Sequence, residues 1–209
     1  MLGIIRVLTH PDQHFVEEHG RLIHQEYGIE SISRCIADQP TGIFDSSSEN
    51  VAIPKIIALG QYLEAEGCNA LFLSCAADPG LELLRNAVTV PVISAGSASA
   101  SMAAMLKRPV AVMGIGAEAP RPFKALLGSN VMYARPEGVL NTTDLLKPQG
   151  LESALMCADA LYCQGYEVIA FSCTGFSTIG LADAINHKLG KIAVDAVRAA
   201  GLFASQLSH

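Results

Sequence analysis

The chain has 209 residues, half of them apolar and 16% charged, with a formal net charge of −6. That balance excludes a disordered chain and fits a compact α/β enzyme, while the negative charge argues against nucleic acid or an anionic membrane surface as a partner. No apolar run reaches the ~18 residues of a membrane span, and Leu2–Leu8 is too short for a secretory signal core and is broken by Arg6, so the expected location is the cytoplasm.

In chain order, Leu2–Leu8 reads as a first buried strand, ended by Thr9-His10-Pro11-Asp12. Asp12 can cap a helix that runs to Tyr27 and stops at Gly28. Ile29–Ile36 is a second strand, 38–48 a loop, and a helix that Pro54 either starts or kinks runs to Glu66. Asn69–Ser74 is a strand ending at Cys75. Asp78-Pro79 has the pattern of a helix N-cap followed by proline. Thr89–Ser94 is another strand, and Gly96–Leu106 a helix of small residues. The pattern then restarts with strand 109–114, helix 120–127 closed by Gly128, strand 130–134, loop 136–146, helix 150–164 and an apolar strand into Ser172-Cys173. A helix over 180–189, strand 191–194 and a helix to Leu207 complete the chain. Strands alternating with helices imply parallel sheets covered on both faces.

Two segment pairs show that the second half repeats the first. NALFLSCAA at 69–77 matches YEVIAFSCTG at 166–175, with the cysteines 98 residues apart (75 to 173). PTGIFD at 40–45 matches PEGVLN at 136–141, an offset of 96. Similar offsets in the same order indicate duplication. The expected architecture is therefore two similar doubly wound parallel-sheet lobes related by a pseudo-twofold axis, at residues 1–97 and 98–195. No proline- or serine-rich linker separates them.

The cysteines stand at 35, 68, 75, 157, 163 and 173. In a chain of this size without a CxxC pair, neither a disulfide framework nor a structural zinc site is expected. Cys35, Cys68, Cys157 and Cys163 read as packing. Cys75 and Cys173 differ, because each ends a strand and precedes a turn into a helix. Ligands in open α/β sheets sit beyond the carboxyl ends of strands, and a helix N-terminus favours thiolate. Two sulfurs related by a pseudo-twofold axis would face one bound molecule from opposite sides. Inversion at carbon requires that arrangement: one thiolate removes a proton from one face and the opposite thiol returns one to the other.

SCAADPG at 74–80, PVISAGS at 91–97 and SCTGFSTIGL at 172–181 resemble the aspartate/glutamate/hydantoin racemase superfamily. RVLT at 6–9, SRCIADQP at 33–40 and GVLNTTDLL at 138–146 bring the likeness nearest to hydantoin racemases. The resemblance implies two lobes with a cleft between them and racemisation without a cofactor, with Cys75 and Cys173 as the two bases. It also implies anion-binding backbone at Ala76, Ala77, Thr174 and Gly175, a C-terminal helix (196–209) packing back on the first lobe, and a homo-oligomer, a dimer or larger. The substrate is expected to be a small molecule, a 5-substituted hydantoin or related ureide. Alternatives are an aspartate or glutamate racemase, a diacid cis–trans isomerase using one cysteine as nucleophile, and a non-catalytic sensor on the same fold.

Further candidates carry two readings each. Arg6 meets a substrate carboxylate or pairs with a buried acid. Ile43 and Val139, at matching loop positions, wall the cleft or pack their loops. Asp78 orients Cys75 or caps the next helix. His10, His14, His19 and His24 fall on a helix read as a solvated amphipathic face, not a metal site, and Gly114-Ile-Gly116 is only a fragment of a nucleotide-binding fingerprint.

Overall fold

A computed structural model describes residues 1–207. The first half contributes β1 (Leu2–Arg6), α1 (Gln13–Tyr27), β2 (Ser31–Cys35), α2 (Ser46–Ala65), β3 (Ala70–Ser74), α3 (Leu81–Ala87), β4 (Val92–Ser94) and α4 (Ala95–Met105). The second contributes β5 (Val110–Met113), α5 (Arg121–Leu127), β6 (Met132–Ala134), a 3-10 helix (Thr142–Leu146), α6 (Gly150–Cys163), β7 (Val168–Phe171), α7 (Gly175–Thr178), α8 (Leu181–Leu189), β8 (Ile192–Val194) and α9 (Ala196–Ser205). The strands form two parallel sheets of four, ordered β2-β1-β3-β4 and β6-β5-β7-β8, so the second repeats the topology of the first.

Period-two alternation sorts each strand between two layers. On the first sheet Ile5, Leu71 and Leu73 pack outward under α2, with Ile56 and Leu63. On the second, Ala111, Met113, Ile169 and Phe171 pack with α6 and α8. The opposite faces, Ile4 and Phe72 from one sheet and Val112, Val168 and Ala170 from the other, share one continuous core with the alanine-rich helices α4 and α9. These two helices are exchanged between the sheets. α4 leaves β4 and packs on α5, α9 and β7, with Ser99 Oγ donating to the Phe171 carbonyl at 3.1 Å. α9 leaves β8 and packs on α1, β3 and β4, where the Tyr27 hydroxyl donates to the Arg198 carbonyl at 3.0 Å. Small residues allow this close approach: a Cβ at Gly201 of α9 would stand 2.7 Å from the Tyr27 ring of α1. Residues 208 and 209 of the expected 196–209 segment lie outside the described residues.

Several local expectations change. α2 begins at Ser46, because Asp45 and Ser48 cap each other reciprocally; Pro54 therefore lies inside the helix and does not start it. Pro79 does not open α3. Its N-cap is Gly80, at φ +61°, a backbone that suits glycine. The 136–146 loop closes into a 3-10 helix held by a capping box between Asn141 and Asp144, and Cys173 is followed at once by the short helix α7. Among the packing cysteines, Cys68 is buried, Cys35 and Cys157 are half-buried, and Cys163 is exposed at the end of α6.

Candidate active site

Parallel register brings the strand ends of each sheet to one level. Arg6 at the end of β1 lies beside Ser74 at the end of β3, and Met113 of β5 beside Phe171 of β7. After β3 the chain turns tightly at Cys75, with Asp78 N donating to the Cys75 carbonyl at 3.1 Å. After β7 it enters α7, where Gly175 N donates to Cys173 Sγ at 3.4 Å and Phe176 N to the Cys173 carbonyl at 3.3 Å. Cys75 is 8% exposed and Cys173 7%, and both line one cavity of about 50 Å³ between the lobes.

Of the expected binding residues, Arg6, Ile43, Ala76, Ala77, Thr174 and Gly175 also line this cavity. Val139 does not. It is 2% exposed and packs with Leu145 and Phe176 in the outer core of the second lobe, although its repeat partner Ile43 faces the cavity. The capping box turns the residues after Asn141 inward, so Thr142 and Leu146 line the cavity from this loop. The two repeated loops meet there: a Cβ at Gly42, whose φ is +72°, would lie 2.9 Å from Thr142 Oγ1.

Arg6 lines the cavity, and backbone carbonyls and an aromatic ring hold it rather than a buried acid. Its guanidinium donates to the carbonyls of Phe15 (3.0 Å) and Val16 (2.9 Å) and lies 5.1 Å from the centre of the Phe15 ring. Burial lowers its pKa to about 10. Its role is to tie α1 to the end of β1 while one edge reaches the cavity.

Burial raises both thiols, but unequally. Cys173 is pushed up to about 11, restrained by the N–H groups of Gly175 and Phe176 and by the Thr142 hydroxyl. Cys75 goes higher. Its one favourable contact is the Ala77 N–H, and the nearby negative charges of Cys173, Asp78 and Glu49 oppose ionisation. The second cysteine is thus the easier of the two to hold as thiolate.

Two residues have roles that sequence reading missed. Asp78 caps α4, a helix distant in sequence: its carboxylate accepts from Gly96 N (2.8 Å), Ser97 N (2.8 Å), Ser97 Oγ (2.6 Å) and Ser94 Oγ (2.9 Å). His19 is 1% exposed, not on a solvated face. One ring nitrogen lies 2.7 Å from Ser74 Oγ and the other 2.9 Å from Thr178 Oγ1. Its helical spacing carried the signal, since Val16, His19, Gly20 and Ile23 form the buried stripe of α1. His14 and His24 are exposed and His10 half-buried. Among the described residues no group of three or more His, Cys, Asp or Glu is arranged to hold a metal ion, and no helix is long and apolar enough to cross a membrane.

Two matching α/β lobes with exchanged helices and a cavity at their joined strand ends make this an Asp/Glu racemase-like fold. The chain belongs to the Asp/Glu/hydantoin racemase family, whose sequence model matches residues 15–202, and is by class an isomerase. The hydantoin racemase of Pseudomonas sp. (strain NS671) is 26% identical over 182 residues, covering 80% of this chain and 70% of that protein. The allantoin racemase from Klebsiella pneumoniae superposes with a TM-score of 0.77 at 20% identity, covering 99% of this chain and 86% of that one. The allantoin racemase from Pseudomonas fluorescens gives 0.75 at 18% identity, covering 99% and 89%.

Proposed function

We propose that the chain inverts a carbon α to a carbonyl in a 5-substituted hydantoin or related cyclic ureide, with Cys75 and Cys173 as the two bases and no cofactor. The observation that carries this reading is the presence of both sulfurs on one small, largely apolar cavity where β3 and β7 end. One cysteine, as thiolate, takes the α-proton; the carbonyl oxygen takes up the developing negative charge; the other cysteine, as thiol, protonates the opposite face. The sulfurs exchange roles for the reverse reaction. A raised thiol pKa makes the thiolate scarcer but a stronger base, which suits a weak carbon acid. Ala76, Ala77, Thr174 and Gly175 line the cavity beside the two sulfurs, which supports assigning their backbone the stabilisation of the enolate oxygen.

A ureide ring suits this cavity better than an acidic amino acid. Among the described lining residues Arg6 is the cation, and its guanidinium already serves two carbonyls and the Phe15 ring. A ring carbonyl also stabilises the carbanion without placing a second negative charge beside a carboxylate.

The test is incubation in D₂O with enantiopure 5-methylhydantoin, allantoin, L-glutamate and L-aspartate, followed by NMR and chiral chromatography. Inversion of a hydantoin or allantoin with α-deuterium in the product is expected. Inversion of glutamate or aspartate alone would move the assignment to an amino-acid racemase. Binding without exchange would make the chain a sensor.

A further inference from the structure

Buried histidine in an otherwise apolar helix stripe requires partners for both ring nitrogens. Those of His19 come from different lobes. Ser74 Oγ, 2.7 Å from Nδ1, belongs to the residue before Cys75; Thr178 Oγ1, 2.9 Å from Nε2, ends α7, the short helix that follows Cys173. Each hydroxyl can donate or accept, so either neutral tautomer satisfies both ring nitrogens. Burial and the neighbouring Arg6 charge keep the ring neutral, the state in which one nitrogen donates and the other accepts. A second strut runs beside it, Thr174 Oγ1 donating to the Ser74 carbonyl at 3.3 Å. Thus α1, an element of the first lobe, clasps the two sulfur-bearing turns together.

We propose that His19 is a positioning residue for the inversion: by bridging Ser74 and Thr178 it fixes the separation of the Cys75 and Cys173 sulfurs across the substrate. This rests on the two-base reading above. Two-base inversion is unusually sensitive to such a spacing, because the second proton must arrive on the far face before the first returns. A displacement of ~1 Å can cost roughly 100-fold in rate. Proton abstraction by a single cysteine demands less of the geometry.

The test compares His19→Asn and Thr178→Val with the parent on whichever of enantiopure 5-methylhydantoin or allantoin the parent inverts. The Asn side chain reaches toward Ser74 but falls short of Thr178, and Val removes the far partner alone. In D₂O the parent should place deuterium in the inverted enantiomer and leave the remaining substrate unlabelled. In each variant kcat for inversion should fall by on the order of 100-fold with KM nearly unchanged, while deuterium accumulates in substrate of unchanged configuration. That rise in exchange relative to inversion separates positioning from simple loss of folded protein, which lowers both together. An unchanged ratio in both variants would overturn the inference. If His19→Asn does not fold, Thr178→Val decides it alone. Failure of the parent to exchange any probe would instead overturn the racemase reading, and this one with it.

Discussion

The two Ser-Cys strand ends look alike in sequence but are built differently. In the first half the Ser74 hydroxyl reaches across to His19 on α1; in the second the Ser172 hydroxyl folds back onto the Met113 carbonyl at 3.1 Å. Behind the cysteines a carboxylate and a hydroxyl change places. Asp78, just after Cys75, accepts from Ser94 at the start of α4, whereas Ser177, just after Cys173, donates to Asp195 at the start of α9 (2.8 Å). Each exchanged helix is therefore capped by one acid and one hydroxyl, supplied from opposite ends. The consequence is electrical. Burial raises both thiols most; beyond it the Cys173 charge and then Asp78 oppose ionisation of Cys75, while Cys173 has two N–H donors and Thr142 in its favour. Both exchanged helices keep an acid–hydroxyl pair at their start, but the acid follows the cysteine in the first half and caps the helix from its own N-terminus in the second.

The strongest way to break the comparison is to delete either sulfur. Cys75→Ala and Cys173→Ala should each lower racemisation by more than roughly 1,000-fold, consistent with loss of a general acid–base group that also completes a two-base relay. Circular dichroism and the urea midpoint should show that both variants fold. Full activity in either would end the two-base scheme.

The inequality of the thiols gives the next largest effect. Rates of alkylation by iodoacetamide, followed by peptide mass spectrometry across pH, should rise at lower pH for Cys173 than for Cys75, because thiolate is the reacting form. Thr142→Val should shift only the Cys173 profile upward and slow its alkylation about tenfold at fixed pH, since a hydrogen bond to a charged group is worth about 1.5–3 kcal/mol. Equal profiles would remove the asymmetry.

The smallest effects concern the exchanged caps. Asp78→Asn and Asp195→Asn should each cost about 1–2 kcal/mol in urea denaturation at neutral pH, and Ser94→Ala or Ser177→Ala about 1 kcal/mol or less. Burial raises both carboxyls above their ordinary value of 3.8, so the folded state holds these protons more tightly than the unfolded chain. The stability linked to them is complete below that value and is lost as pH rises through the raised one. The cost of each Asn substitution should therefore shrink from about pH 4 to about pH 7. A cost that grew over that interval would show that these carboxyls are lowered, not raised.

Much of this molecule is legible one residue at a time. Apolar runs bounded by turn residues located all eight strands, and the matched PTGIFD and PEGVLN segments both proved to end in a capping residue, Asp45 and Asn141. Those are local properties, set by period-two burial and by side chains bonding their own backbone two or three residues away. Of the two readings of Val139, packing holds: it is buried in the outer core of the second lobe, and Thr142, after the Asn141 cap, lines the cavity from that loop. What the chain order alone could not convey are contacts whose partners lie far apart along it. Asp78 reaches α4 across a strand within the first lobe, while His19 between Ser74 and Thr178 and the crossing of α4 and α9 onto the opposite sheets depend on how two finished lobes meet. The alphabet of one lobe determined its strands, turns and cysteine positions; packing two of them on shared small-residue helices buried both cysteines at the joint and so raised both thiols.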